Sequence, residues 1–259
     1  MTVRKYGRPT FRVAVLHGGP GAPGYMAPVA RELGRSRGVL EPLQSADSLV
    51  GQIEELARQL ETNGDLPITL IGSSWGAVLA LFLAADKSEM VEKLILVGCA
   101  VFDAASSASI EQRRLDRLDQ KTRQRYEDVV VRLEQAPPEK RKQIAEEWGD
   151  IFLKTDIYDP LTTDLEVIEV QYDLFKKVWS DFVELRDRPG FLKNRFSSIN
   201  RPVAVIHGAE DPHPLEGIQP FLEDCLPEVR FHILPKCGHY PWIERHAAGR
   251  FYEILREEI

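Results

Sequence analysis

Cysteine is scarce in this chain: Cys99, Cys225 and Cys237 are the three among 259 residues. An odd count at wide spacing gives neither a disulfide framework nor a zinc-ligand pattern. Long apolar runs are missing too. Near the start only Val13 to Leu16 is continuously apolar, with Phe11 close by. That is too short for a signal peptide and far too short to cross a bilayer. Positive charge is in deficit, with 33 Lys and Arg against 40 Asp and Glu and a formal net charge of -7. An acidic chain has no bulk attraction for phosphate backbones, so nucleic acid is not an expected partner. Internal repeats and low-complexity segments are also lacking. What remains is the expectation of a cytoplasmic globular protein acting on a small molecule or a short peptide. Its length and its 43% hydrophobic residues suffice for one large α/β domain, with room for an insertion.

Six segments read as strands: 12–17 (RVAVLH), 38–43 (GVLEPL), 67–71 (PITLI), 91–97 (VEKLILV), 202–207 (PVAVIH) and 229–234 (VRFHIL). Most are short and rich in Val, Ile and Leu without alternation, the pattern of a parallel sheet covered on both faces. Helical patterns separate them. Residues 45–61 place Leu49, Ile53, Leu56 and Leu60 on one stripe, with Ser45 or Asp47 as candidate caps. Residues 74–85 are apolar nearly all round, and 240–258 form a final amphipathic helix carrying His246. The alternation implies right-handed crossovers and a doubly wound, mostly parallel sheet. It stops between about 105 and 195, where only helical patterns occur. No crossover needs so many residues. The expected organisation is a core of residues 1–104 and 196–259, with a helical cap at 105–195.

The stretch 72–76, GSSWG, holds two adjacent serines. The G-x-S-x-G spacing fits only if Ser74 is the centre. A strand precedes it and a buried helix follows, as a nucleophile elbow requires. A nucleophile there sits at a helix N-terminus, where free N–H groups and the helix dipole favour developing negative charge. The first strand ends in HGGPG, residues 17–21. Its glycines let backbone N–H groups approach a substrate carbonyl. Together with the N–H of Trp75 they form a candidate oxyanion hole.

HGGPG followed by G-x-S-W-G resembles the proline iminopeptidase branch of the α/β-hydrolases, serine peptidase family S33. The resemblance covers about residues 11–104 and 200–259. It implies that Ser74 is the nucleophile and that Gly18 or Gly19 supplies an oxyanion N–H. Two departures stand out. Ser73 replaces the glycine usual before the nucleophile. Only 16 residues precede His17, so the sheet is expected to be shortened at that edge.

The triad order along an α/β-hydrolase chain is serine, acid, histidine. His239, in CGHY after the last strand, is the expected base. His17 is expected to order the glycine loop, His232 to be structural and His246 to face solvent. The acid is expected after PVAVIH, where HGAEDP offers Asp211, with Glu210 as the alternative. His213 is expected at the pocket rim. Cys99 is an expected apolar wall, and Cys237 is discounted as a nucleophile. No metal or cofactor is called for.

An iminopeptidase must recognise a free amine, and a buried cation needs carboxylates. Glu147, Asp173, Asp181 and Glu184 are candidates in the cap. Trp148, Tyr172, Phe175 and Trp179 are candidate pocket walls. Three functions follow: an aminopeptidase of the proline iminopeptidase type, a carboxylesterase or lactonase with the same triad, and a catalytically silent binding protein.

Overall fold

The computed structural model describes residues 3–259. All six expected strands form, and a seventh precedes them. They are β1 Val3–Tyr6, β2 Phe11–Leu16, β3 Gly38–Pro42, β4 Ile68–Ser73, β5 Val91–Val97, β6 Val203–Gly208 and β7 Val229–Leu234. They lie in one sheet, in the order β1-β3-β2-β4-β5-β6-β7. Every pairing is parallel except β1 with β3. The edge expected to be shortened thus carries a four-residue antiparallel strand, too short to announce itself by pattern.

Ten α-helices occur among the described residues: α1 Ala27–Leu33, α2 Leu49–Asn63, α3 Trp75–Asp86, α4 Ala104–Leu115, α5 Gln120–Gln135, α6 Pro138–Asp156, α7 Tyr172–Arg186, α8 Phe191–Phe196, α9 Gln219–Cys225 and α10 Ala248–Glu258. The period-2 alternation of side chains sends each strand into both faces. Ala14, Leu16, Leu94 and Leu96 pack with α2, α3, α8 and α9. Val13, Val15, Ile95 and Val97 pack with α1 and α10. Burial on both sides explains why these strands read as continuous apolar runs. No helix among the described residues is long and apolar enough to cross a membrane.

Three local expectations are corrected. The cap of α2 is Ser48, whose hydroxyl accepts from Gly51 N at 3.1 Å. Ser45 is instead bonded to Glu55, and Asp47 pairs with Lys177. The final helix is broken: Pro241–Ile243 makes a single turn and α10 starts at Ala248. His246 lies in the connection, half-exposed and 3.1 Å from Asp159.

Helices α4 to α8 lie between β5 and β6 in the chain, and they do not pack as one unit. Val129, Leu133, Ala145 and Ile151 of α5 and α6 form a small cluster of their own. Val178 and Phe182 of α7, with Leu192 and Phe196 of α8, join the cluster that covers α3. An apolar stripe reveals that a helix packs but not against what, so the boundary at 195 was not readable from periodicity.

Candidate active site

The register places the ends of β2, β4 and β5 at one level, with Gly72 opposite Leu16 and Ser73 opposite Val97. The next residue, Ser74, turns the chain from strand into helix at φ 53° and ψ -115°. For a residue with a Cβ this is a strained conformation that the surroundings must hold. The Ser74 N–H donates to Val97 O at 2.9 Å. The flanking glycines permit the turn. A Cβ on Gly72 would stand 2.2 Å from Gly76 O, and one on Gly76 would stand 2.3 Å from Leu16 O. Ser74 is half-buried, whereas Ser73 is buried and its hydroxyl accepts from Tyr25 Oη at 3.1 Å.

Behind the elbow, α3 is apolar on every face. The Trp75 N–H is the first of the helix and has no carbonyl a turn behind it to bond. Its ring is buried, with Nε1 donating to Gln52 Oε1 at 2.7 Å. The glycine loop lies against the nucleophile, since a Cβ on Gly18 would be 2.8 Å from Ser74 Cβ. His17 holds this loop as expected. Its Nδ1–H donates to Gly18 O at 2.9 Å, and its Nε2 accepts from Gln44 N at 3.1 Å. Burial pushes its pKa down to about 4, so the ring stays neutral.

His239 lies beside Gly98, the residue after β5, where a Cβ would be 3.0 Å from its Nδ1. That Nδ1 donates to Asp211 Oδ2 at 2.7 Å. Asp211 is therefore the acid partner, and Glu210 is exposed. Burial works against charge on His239, but the Asp211 carboxylate outweighs it and raises the pKa above the usual histidine value. Burial likewise opposes ionisation of Asp211. Its histidine neighbours, His239 foremost, nevertheless hold it well below the usual carboxylate range.

His213 is not at a rim. It is buried, and both its backbone N–H and its Nδ1–H donate to Asp211 Oδ1 at 2.8 Å. Its ring stacks on that of His239, with centroids 4.3 Å apart and planes 24° apart. Asp211, His213 and His239 form the group among the described residues close enough to share an ion, with ligand atoms within 4.8 Å of one another. Both imidazole Nδ1 atoms already spend their protons on the carboxylate, so the set is complete as a hydrogen-bonded cluster.

The helices after β5 reach into the site in a way the sequence did not disclose. The His239 N–H donates to Asp156 O at 2.7 Å, at the end of α6. The Asp156 carboxylate is buried and held by Arg114 of α4 through two bonds of 2.7 Å. Arg117 donates to Thr155 O and to Glu210 O, joining α6 to the acid loop. The fully buried Glu244 carboxylate accepts from Gly238 N at 2.9 Å, Tyr158 N at 2.7 Å and Asp159 N at 2.8 Å. It fixes the base loop to the chain leaving α6. Apart from Gly238 and Glu244, six positions apart, these partners are tens of residues distant, and no local pattern marks them.

The other expected site residues lie apart from this cluster. Glu184 is exposed and paired with Arg188, and Asp173 pairs with Arg141 at 2.6 Å. Glu147 bridges Arg125 and Arg132, and Asp181 accepts from Leu49 N at 2.9 Å. Trp148 and Tyr172 pack with each other and with Phe175. Trp179 stacks on Phe175 and meets Trp75 edge-on at 6.3 Å, so it reaches the neighbour of Ser74. Cys99 and Cys237 are buried, and burial pushes both thiols up, away from nucleophilic thiolate.

A serine at a strand-to-helix elbow, with an acid and a histidine after later strands of one parallel sheet, defines the α/β-hydrolase class. Residues 8–251 match the model of the alpha/beta hydrolase family, and the chain belongs to that family. No curated protein matches it in sequence. Among solved structures it is similar to proline iminopeptidase of Mycobacterium smegmatis, with 20% identity, a TM-score of 0.63 and coverage of 98% of this chain and 92% of that one. It is similar to an N-acyl homoserine lactone degrading enzyme, with 15% identity, a TM-score of 0.64 and coverage of 99% and 96%. It is also similar to a carboxylesterase of the thaumarchaeon Nitrososphaera gargenis, with 17% identity, a TM-score of 0.62 and coverage of 98% and 92%. Likeness at these identities extends to the fold and no further.

Proposed function

We propose that the chain is a serine hydrolase working through Ser74, His239 and Asp211. The observation that carries this reading is the 2.7 Å bond from His239 Nδ1 to Asp211, with His239 against Gly98 just after β5 and Ser74, held at φ 53°, bonded to the adjoining Val97 O. A carboxylate on Nδ1 fixes the tautomer that leaves Nε2 free to take a proton. Ser74 attacks a substrate carbonyl as His239 takes its proton. The N–H groups of Trp75 and of Gly18 or Gly19 receive the oxyanion. His239 then protonates the leaving group, and water releases the acyl group from Ser74 by the same route. An ionised acid paired with a histidine, and a serine held in a strained turn, support this reading over a silent binding protein.

For the substrate, the amine-binding expectation loses its support, because each candidate acid is engaged elsewhere. Of the buried carboxylates near His239, Asp156 is paired with Arg114, and the Glu244 oxygens are taken up by three backbone N–H groups. Neither leaves an oxygen free of partners to receive a substrate ammonium. The geometry favours a neutral acyl substrate, an ester or a lactone, over a peptide N-terminus. The motif pair HGGPG and G-x-S-W-G keeps the aminopeptidase reading as the rival. Paired kinetics on a proline arylamide and a short acyl ester separate the two. The ester should be turned over faster, and N-acetylation should not slow the arylamide. An arylamide that is preferred, and is lost as a substrate on N-acetylation, would restore the aminopeptidase.

A further inference from the structure

Asp211 carries two imidazoles where the reaction needs one. His213 Nδ1 and His239 Nδ1 each donate to one of its oxygens, at 2.8 and 2.7 Å. The two rings lie 4.3 Å apart and nearly parallel. The backbone N–H of His213 already holds Oδ1 at 2.8 Å, so the side-chain bond is additional to what the turn requires. A third histidine, His207, donates from Nε2 to His213 O at 3.0 Å and so fixes the His213 backbone. Its Nδ1 is buried, has no hydrogen-bond partner among the described residues and stands 3.9 Å from Asp211 Oδ2.

We propose that His213 is a positioning residue that divides the charge of Asp211 between two imidazoles and so keeps His239 in its unprotonated, base form to lower pH. The inference rests on the serine-hydrolase reading above. A carboxylate that already accepts two N–H bonds on one oxygen has less charge to offer the imidazolium forming at the other. The neutral His213 ring also packs against the His239 ring without opposing its charge. Burial and the nearby His239 push His213 down to about 4, in keeping with a ring that stays neutral while its neighbour titrates. The other charged or titratable groups facing this cluster are Asp156 and Arg114 from the inserted helices, Tyr240 against the His239 ring, and His207, Cys99 and Cys237 around Asp211. All of them are retained in the variants below.

The test is the rate at which a fluorophosphonate labels Ser74, followed across about pH 5 to 9. It needs no knowledge of the substrate. His213→Phe keeps a ring and removes the N–H; His213→Gln keeps an N–H and removes the ring. Each profile is normalised to its own plateau. The Phe variant should move the acid limb up by about half to one pH unit, a three- to tenfold loss of relative rate below the limb. The Gln variant should move it less. If the Phe variant does not fold, His213→Leu makes the same deletion with less bulk. A limb that stays in place, or a plateau that collapses without the limb moving, would assign His213 a purely structural role. A wild-type protein that is never labelled would remove the serine-hydrolase reading itself and the proposal with it.

Discussion

Helix α3 buries ten of its twelve residues, whereas α5 buries two of its sixteen. The first lies inside the sheet packing and starts at Ser74. The second shares a four-residue apolar cluster with α6 and is otherwise laced by exposed ion pairs such as Arg125–Glu147–Arg132. A deeply packed helix has one low-energy position, which suits a group that must hold a strained backbone. A helix held by surface charge has shallower restraints. The contrast ends at one place. Where α6 finishes, Arg114, Asp156 and Glu244 bind the inserted helices to the base loop through buried, charge-assisted bonds. Helices α5 and α6 are thus loosely held for most of their length, and α6 is firmly tied at its end, where His239 is placed.

This contrast can be broken at the tie first. Glu244→Ala leaves the buried Gly238 N–H and the partly buried N–H groups of Tyr158 and Asp159 without an acceptor, at about 1–3 kcal/mol for each that water cannot reach. Thermal unfolding should show a fall of roughly 10 °C or more. A fall of only a degree or two would mean that the base loop does not depend on this carboxylate. Next comes the core: Phe82→Ala in α3 should cost about 3–5 kcal/mol in denaturant unfolding. Arg114→Met should cost a similar amount, because it strands the Asp156 charge. Adding Asp156→Leu should recover most of the stability but not the activity, as the pair is replaced by apolar contact. Recovery of both would show that the pair positions nothing.

A pH effect comes next. Burial holds His17 and His213 at about 4, below the usual value near 6.5. A depressed histidine contributes stability above its unfolded pKa and loses it as pH falls through the folded one. Melting temperature should therefore decline between about pH 6.5 and 4. His239 is raised and has the opposite sign, contributing below about pH 6.5 and losing its share as pH rises. His17→Gln should flatten part of the acid decline; an unchanged slope would remove His17 from it. The smallest effect belongs to the exposed network. Glu147→Gln should cost no more than about 1 kcal/mol at low salt and nothing measurable at about 1 M salt. A larger, salt-independent loss would make α5 and α6 as firmly held as α3.

The same contrast explains what the sequence could tell. Strands buried on both faces, G-x-S-x-G and HGGPG are short-range patterns, and each states its own geometry. They sufficed for the sheet, the elbow and the glycine loop; the pairing of His239 with Asp211 came from the family's order of serine, acid and histidine, which left Glu210 open. His213 was visible as a residue, but its donation to Asp211 depends on a side-chain rotamer that no spacing encodes. Arg114 and Asp156 are 42 positions apart and meet only because α4 and α6 pack. The amine-binding acids failed for a related reason: charge on an amphipathic helix marks its polar face without saying what that face meets. Ser73, set beside the nucleophile in the chain, points inward to Tyr25 because strand side chains alternate.

Of that pair, only Ser74 stands at the elbow where a nucleophile is proposed. Peptide mapping after fluorophosphonate treatment should find the adduct on Ser74 in the wild-type protein and in Ser73→Gly, and no adduct in Ser74→Ala. Label on Ser73, or label that persists in Ser74→Ala, would contradict that proposal.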